Sequence, residues 1–277
     1  MTALEEKTNK KAPGGSAWRE FPWWLVAIII FLITMGILIA TQPEFKRAFL
    51  FIKGGFGSLE DFPDVVALIG KGISVTVYTT LVGFAFALVF GLLAGLGRIS
   101  SNVILRNTAI FYVEFIRGVP TLVLIFTVAF VLVPWIAGGE NSGVSMSSRA
   151  VFALAIIYGA FLAEIFRAGI ESISKGQMEA ARSLGMTHGQ AMRHIILPQA
   201  VRNILPALGN DFIAMLKDSS LVSVLAVRDV TQQGRLYASS TFRFRESYLI
   251  LTFLYLTMTL TLSLLLRWFE RRLGKNV

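Results

Sequence analysis

The sequence contains no cysteine and only two histidines in 277 residues. Without cysteine the chain forms no disulfide, no thiolate nucleophile and no cysteine-ligated zinc or iron–sulfur site. His188 and His194 share one polar segment, so we expect neither a metal site nor a catalytic triad built on them. Charged residues are also scarce, at 16% of the chain against about 25% in soluble domains. These absences argue against a membrane-embedded enzyme and against a soluble globular domain.

Apolar sequence takes the place of charge. Hydrophobic residues make up 55% of the chain, and its mean hydropathy is +0.66. A bilayer core about 30 Å thick needs roughly 20 helical residues. Four charge-free runs are long enough, at 23–41, 72–97, 118–139 and 247–266. A fifth run, from Ala150, contains Glu164 and Arg167, and a sixth, about 204–227, contains Pro206, Asp211, Lys217 and Asp218. The prediction is an all-α integral membrane protein with about six transmembrane helices.

The distribution of Lys and Arg favours an orientation with both termini inside. With the N-terminus inside, sixteen of the 26 cations fall in inside segments, nine fall outside, and Lys217 lies within a span. The net charge of +9 is therefore a topology signal, and we expect no nucleic-acid partner. Four arginines in the outside segment 228–245 weaken this orientation, and the sequence explains them only by a contact with a partner.

Small residues recur every four positions along the second run, at Gly83, Ala87, Gly91 and Gly95. This spacing places them on one face of a helix, where short side chains let another helix approach closely. The pattern predicts tight helix packing, either within the chain or across a dimer.

The polar segment from Glu171 to Arg202 carries helix-capping signals. Ser174 with Gln177, and Thr187 with Gln190, each fit a capping box, so we expect one helix to begin near Lys175 and another after Thr187. Gly185 is placed to end the first helix in the left-handed conformation, and Pro198 to end the second. Two short helices hinged at Gly185 suit docking into the groove of a partner, although an ordinary amphipathic loop is an equal alternative.

The same segment resembles a known family motif. Glu179-Ala180-Ala181 is followed by Gly185 and then by Ile195, Leu197 and Pro198, within EAARSLGMTHGQAMRHIILPQA. The spacing is similar to the EAA loop of permease subunits of ABC importers. The flanking sequences FIRGVPTLVLIF, IYGAFLAEIFRAGIESISKGQMEAARSLGM and LKDSSLVSVLAV resemble the polar amino-acid permeases among them.

The resemblance implies a domain organisation. Residues 72–270 would form the five-helix type I permease domain, with the coupling loop at 171–203. Residues 23–41 would be an extra N-terminal transmembrane helix, 42–71 a periplasmic loop, and 1–22 a disordered cytoplasmic tail. A cleaved signal peptide is the rival reading of the N-terminus, but the first apolar run is long for one.

The resemblance also implies partners. Glu179, Ala180, Ala181, Gly185, Ile195, Leu197 and Pro198 would form the loop that couples to a cytoplasmic ABC ATPase dimer. The sequence has no G-x-x-x-x-G-K-[ST] motif, so ATP and Mg belong to that partner, and this chain is expected to bind no cofactor and no metal and to be no enzyme. A second permease subunit, identical or similar, and an external solute-binding protein complete the expected assembly in the lipid of the bacterial inner membrane.

Charged or polar residues inside the spans are the candidates for the substrate path. Lys217, Asp218, Ser219 and Ser220 interrupt an apolar run, as in a discontinuous helix beside a binding cavity. Glu164 is a further candidate, although an intrahelical pair with Arg167 is the favoured interpretation, as is a pair of Glu114 with Arg117. A zwitterionic amino acid needs groups of both signs, but Lys217 and Asp218 equally fit a role in breaking the helix.

The predicted function is a permease subunit that moves a polar or charged amino acid by alternating access, driven by a separate ATPase. The alternative is an ion-coupled secondary transporter, in which Asp211, Asp218 and Glu164 would be ion or proton sites. The capped coupling segment favours the first, because a gradient-driven carrier has no need of it.

Overall fold

The computed structural model describes residues 23–54, 70–139 and 143–274, and these ranges are helical throughout apart from short connections. The helices are α1 (Trp23–Thr41), α2 (Pro43–Gly54), α3 (Lys71–Arg98), α4 (Val103–Gly118), α5 (Thr121–Ile136), α6 (Met146–Glu171), α7 (Lys175–Ser183), α8 (His188–Ala191), α9 (Leu197–Asp218), α10 (Val230–Thr241) and α11 (Phe244–Gly274). π-helical turns lie within α5 at Val128–Leu132 and between α8 and α9 at Met192–Ile196. A 3-10 segment, Ser219–Leu225, follows α9. The predicted tail at 1–22 lies outside the described residues.

Four of the described helices, α1, α3, α6 and α11, are long and apolar enough to cross a membrane. A fifth candidate is the pair α4 and α5, whose axes are bent by 114°. The predicted run 118–139 therefore corresponds to only part of this pair. It matches α5, which begins at Thr121 and ends at Ile136. The apolar runs did not predict α4, since Arg106, Glu114 and Arg117 make it amphipathic. The predicted count of six stays a prediction.

The segment predicted as a loop, 42–71, contains helix α2. Phe45, Ala48 and Ile52 lie on one side of α2 and are buried, as expected of residues spaced by three and four positions in an amphipathic helix. Residues 55–69, the rest of the predicted loop, lie outside the described residues.

The close packing predicted from the small residues of the second run occurs within the chain, between α3 and α6. A Cβ atom at Gly91 would stand 2.6 Å from the Cβ of Leu162, and one at Gly95 would stand 2.9 Å from the carbonyl oxygen of Ala163. Ala87 is fully buried in the same interface. The two helices therefore approach to a distance that only glycine and alanine permit.

Helices α1 and α2 pack onto α10 and α11 through a second apolar core. Its buried members are Met35, Phe45, Ala48, Ile52, Val230, Tyr237, Ile250, Leu251 and Leu254. The Glu44 carboxylate pairs with the Arg243 guanidinium at 2.7 Å. At the other end of α2, the Ile52 carbonyl lies beside Gly72, next to Val230 and Gln233. Helices α2 and α10 thus run antiparallel, and Arg243, one of the unexplained arginines, has an intrachain partner.

Asp229 begins α10 from a buried position. Its side chain accepts a hydrogen bond from the Gln232 backbone N–H at 2.8 Å, which caps the helix. The next residue, Val230, donates its backbone N–H to the buried Thr76 hydroxyl of α3 at 3.1 Å. Burial raises the pKa of Asp229 to about 6, because the charged form is poorly solvated there.

We predict that Gly91→Val destabilises the protein by about 1–3 kcal/mol, the usual cost of overpacking a filled interface. Thermal unfolding of the purified protein in detergent measures the change. Gly36→Val is the matched control, because Gly36 also lies in an apolar helix and a Cβ there meets no atom within 4 Å. Equal unfolding temperatures for the two variants would contradict the close α3–α6 contact.

Stability should also depend on the protonation of Asp229. Because its pKa is raised in the folded state, that state binds the proton more tightly, so stability is greatest below about pH 4 and falls by up to about 3 kcal/mol as pH rises to about 6. Asp229→Asn keeps a capping side chain and does not titrate. The stability of Asp229→Asn relative to the unchanged protein, measured by thermal unfolding from pH 4 to pH 7, should rise with pH, and a constant difference would refute the prediction.

Candidate functional site: the coupling segment and the broken helix

The first helix of the polar segment, α7, begins at Lys175, as predicted. Ser174 is its N-cap and accepts a hydrogen bond from the Gly176 backbone N–H at 3.3 Å. The predicted capping box is only half formed, since Gln177 contributes its backbone N–H to the Ser174 carbonyl at 2.9 Å and its side chain makes no cap bond among the described residues. The predicted start of the helix is therefore confirmed, whereas the predicted reciprocal side-chain bond does not form among the described residues.

Gly185 ends α7 in the left-handed conformation, with φ of +82°. The Gly185 N–H donates to the Arg182 carbonyl at 3.0 Å, and the Met186 N–H donates to the Ala181 carbonyl at 3.2 Å. These two bonds form a Schellman motif, which satisfies the last carbonyls of a helix. The left-handed helix end predicted at Gly185 is confirmed, and its role as a hinge stays a prediction.

The second capping box forms fully. The Thr187 hydroxyl accepts from the Gln190 backbone N–H at 3.3 Å, and the Gln190 side chain accepts from the Thr187 backbone N–H at 2.9 Å. The prediction that Pro198 ends this helix is wrong. Helix α8 passes through the π turn Met192–Ile196 directly into α9, and Pro198 stands in the first turn of α9. A proline is tolerated there because the shifted bonds of the preceding π turn accommodate its missing N–H.

The residues of the family motif divide into an exposed and a buried set. Glu179 and Ala180 are exposed, whereas Ala181 is only 1% exposed and packs inward. The motif therefore does not present both alanines as one outer face. Leu184, beside the hinge, is 82% exposed. Sequence reasoning missed this large apolar side chain because a single leucine has no periodicity to mark it.

The end of the motif joins the segment to the spanning helices. Ile195 is half-buried and belongs to the π turn, while Leu197 and Pro198 begin α9 and are exposed. Ile204, two turns further along α9, fills the space beside Gly169 of α6, where a Cβ would meet the Ile204 side chain at 2.1 Å. The coupling segment is thus held between the adjoining ends of α6 and α9.

A cluster of ion pairs lies at this same end of the bundle. Glu164 pairs with Arg98 of α3 at 2.6 Å and with Arg167 of its own helix, and Arg167 also pairs with Glu171. The intrahelical pair predicted for Glu164 is confirmed. Glu114 lies 3.9 Å from Arg98, and no ion pair joins it to Arg117 within the part of the chain that the structure describes. The pair predicted for Glu114 is therefore wrong.

The helix break predicted near Lys217 is present. Helix α9 ends at Asp218 and continues as the 3-10 segment. The Asp218 carboxylate accepts a hydrogen bond from the Tyr158 hydroxyl of α6 at 2.9 Å. Ser219 is buried and donates to the Leu216 carbonyl at 2.7 Å, whereas Ser220 is half-buried. Tyr158 is a new member of this site, which sequence spacing could not reveal because it is 60 residues away.

Lys217 and Glu164 are not among the residues that gather around Asp218. Lys217 is exposed and has no carboxylate within 4.0 Å among the described residues. Glu164 is held by its two arginines. No cluster of three metal-ligating side chains occurs in the described ranges. The structure therefore brings together Asp218, Ser219, Ser220 and Tyr158, and leaves Glu164 in a separate ionic cluster.

Comparison with known proteins decides the family. Residues 87–275 match the family model "Binding-protein-dependent transport system inner membrane component". The chain belongs to this family. Its fold and its sequence are those of a permease subunit, and in this family ATP is hydrolysed by a separate ATPase, so the chain is not an enzyme.

Two curated relatives and one solved structure are representative. The probable glutamine ABC transporter permease protein GlnM of Bacillus subtilis is 39% identical over 207 residues, or 74% of this chain and 93% of the relative. The probable amino-acid permease protein YxeN of the same organism is 37% identical over 214 residues, or 77% and 93%. A chain in the crystal structure of an amino acid ABC transporter with histidines has 43% sequence identity to this chain and superposes with a TM-score of 0.67. The match covers 73% of this chain and 92% of that one.

We predict that Gly185→Val loosens the hinge. A β-branched residue in the left-handed conformation costs about 1–2 kcal/mol, so the amides of Gly185's replacement and of Met186 should exchange hydrogen about tenfold faster. Hydrogen exchange of the solubilised protein, read by mass spectrometry, measures this. Gly189→Val is the control, since Gly189 lies in α8 and likewise has no atom within 4 Å of an added Cβ. Unchanged exchange at residues 184–186 would count against the hinge.

Proposed function

We propose that this chain is the membrane-spanning permease subunit of an ATP-driven importer that carries a polar or charged amino acid across the bacterial inner membrane. The observation that carries the proposal is the coupling segment, in which the complete family motif coincides with two capped helices joined at Gly185. Amino-acid permeases among the relatives, such as GlnM and YxeN, support the substrate class.

The coupling segment docks into a cytoplasmic ABC ATPase dimer. Glu179, Ala180 and Leu184 provide the exposed contact surface, because they are the outward residues at the end of α7. Ala181 and Gly185 shape the segment from within. Ile195, Leu197 and Pro198 connect it to α9 through a continuous helix, so a movement of the ATPase reaches the helix that ends at the broken site.

The proposed topology has six spans with both termini in the cytoplasm. Helices α1, α3, α6 and α11 supply four spans, the bent pair of α4 and α5 supplies one, and α9 with its 3-10 continuation supplies the last. The excess of Lys and Arg in the segments assigned to the inside supports this orientation. It places the coupling segment in the cytoplasm and α2 and α10 outside.

The broken end of α9 forms part of the substrate path. Asp218 offers a carboxylate for the ammonium group of an amino acid, Lys217 offers a cation for its carboxylate, and Ser219 and Ser220 lie in the backbone that leaves the helix. A discontinuous helix at such a site frees backbone groups for a ligand. Glu164 is less favoured in this role, because its carboxylate is already shared by Arg98 and Arg167.

The assembly consists of two permease subunits, this chain with a copy or a similar chain, two ATPases and an external solute-binding protein. ATP binding at the ATPases shifts the cavity from inward-facing to outward-facing, and the amino acid enters from the binding protein. Uptake into proteoliposomes that contain the whole assembly tests this function. Uptake should require enclosed ATP and persist when a protonophore collapses the gradient, whereas loss of uptake with the gradient would favour the ion-coupled carrier.

Lys217→Ala should lower uptake at least tenfold while the ATPase remains bound, because the substrate carboxylate loses its cation. Lys217→Arg should retain most of the uptake. Arg106→Ala is the control, since Arg106 is a half-buried cation that, like Lys217, has no ion pair among the described residues. Normal uptake by a fully assembled Lys217→Ala complex would remove Lys217 from the substrate path.

A further inference from the structure

Helices α2 and α10 form a two-helix layer at the end of the bundle opposite the coupling segment. The ion pair between Glu44 and Arg243 joins one end of the two helices, and the rings of Phe51 and Tyr237 lie 5.2 Å apart between them. The inward residues of both helices are buried in one core. We refer to the outward surface of these helices, together with the preceding residue Arg228, as the α2–α10 layer.

The α2–α10 layer carries cations that have no ion-pair partner among the residues that the structure describes. Four cations of the layer are exposed: Lys46 and Arg47 on α2, Arg228 just before α10, and Arg235 on α10. No carboxylate of the described residues lies within 4.0 Å of them. The acidic residues nearby are already engaged. Glu44 pairs with Arg243, Glu246 pairs with Arg245 at 3.0 Å, and Asp229 is fully buried as a helix cap. Within the described ranges the layer therefore presents positive charge without a neutralising acid.

This charge lies on the side of the membrane where cations are ordinarily depleted. All the Lys and Arg residues assigned to the outside, except the buried Arg149, belong to this layer or to the helix ends that adjoin it. Arg149 instead donates to the carbonyls of Val144 and Ala129. Cations in short outside loops oppose the inserted orientation, so their concentration in one rigid layer indicates a function outside the membrane.

We propose that the α2–α10 layer is a docking surface for an acidic face of the external solute-binding protein. The inference rests on the proposed function for the existence of that protein and for the outside position of the layer. Complementary charge across an interface speeds encounter and fixes orientation. An exposed cationic layer of this kind captures an acidic partner at rates that fall as salt rises.

A protein face fits the layer better than lipid headgroups do. Helices that lie on a membrane present large apolar side chains beside their cations. On α10, Arg235 is accompanied on the exposed side by Ser239 and Ser240, and the large apolar side chains exposed on the two helices are Leu236 of α10 and Leu50 of α2. The exposed side of α10 is therefore polar, as a protein-contacting surface is at its rim.

Half of this layer is absent from the family match. The family model begins at residue 87, whereas α2 ends at Gly54. GlnM matches over 93% of its own length but only 74% of this chain. Helix α2 thus lies outside the family match, and it enlarges the cationic surface that α10 provides within the matched region.

The experiment uses the permease with its ATPase in nanodiscs of phosphatidylcholine. The probe is the solute-binding protein that stimulates ATP hydrolysis by this complex, added over a range of concentrations at low and high salt. The variant Lys46→Gln/Arg47→Gln/Arg235→Gln should raise the half-saturating concentration of the probe about tenfold and remove most of its salt dependence, with the maximal rate of hydrolysis unchanged. The control Arg267→Gln/Arg271→Gln, at the opposite end of α11, should behave as the unchanged complex.

Several outcomes would overturn the proposal. An unchanged half-saturating concentration in the triple variant refutes the docking surface. If that variant instead changes only its response to phosphatidylglycerol in the nanodisc, the layer is a lipid contact. If it loses thermal stability at unchanged half-saturation, its cations serve contacts within the chain, for which the segment between α2 and α3 offers Glu60, Asp61 and Asp64. Failure of every solute-binding protein to stimulate the unchanged complex would reject the proposed function itself.

Discussion

The close approach of α3 and α6 is the contact on which the arrangement of the other helices depends. In lipid, apolar side chains gain little by leaving their surroundings, so helices associate through dispersion contacts and backbone proximity. Gly91 and Gly95 permit that proximity, because their missing side chains leave space for Leu162 and Ala163. Helix α6 then sits at the centre of the bundle. Its Tyr158 contacts the broken end of α9, and its Glu164 bonds to Arg98 of α3.

Predictions from the sequence succeeded where one residue type determines the local structure. The first two apolar runs match α1 and α3 to within one residue, because charges or polar residues bound them. Gly185 and Thr187 mark the ends of the short helices, since left-handed backbone and reciprocal capping each demand particular residues. The family itself was predicted from the spacing of the coupling motif, and the match over residues 87–275 confirms it.

Some of the failures have a different cause, which is that the deciding contact is remote in sequence. Helix α4 is amphipathic and is separated from α5 by the extended residue Val119 before Pro120, so the apolar run alone did not mark it. Pro198 was expected to end a helix, but a π turn before it lets the helix continue. Glu114 meets Arg98 of another helix instead of Arg117 of its own. Tyr158 and Leu184 have no signal in the sequence, since their importance lies in a distant partner and in exposure.

The position of α1 bears on how such a chain is assembled over evolutionary time. Only 6% of its span is buried in the described structure, so nearly all of its side chains are free to vary among apolar residues. The small buried part of α1 and the core beneath α2 contact α10 and α11. Neither takes part in the α3–α6 interface. A helical hairpin attached in this way joins the rest of the described bundle at its periphery. Gene fusion could add or remove it without compensating changes in the core, and the sequence of α1 is therefore expected to diverge faster than that of any other spanning helix.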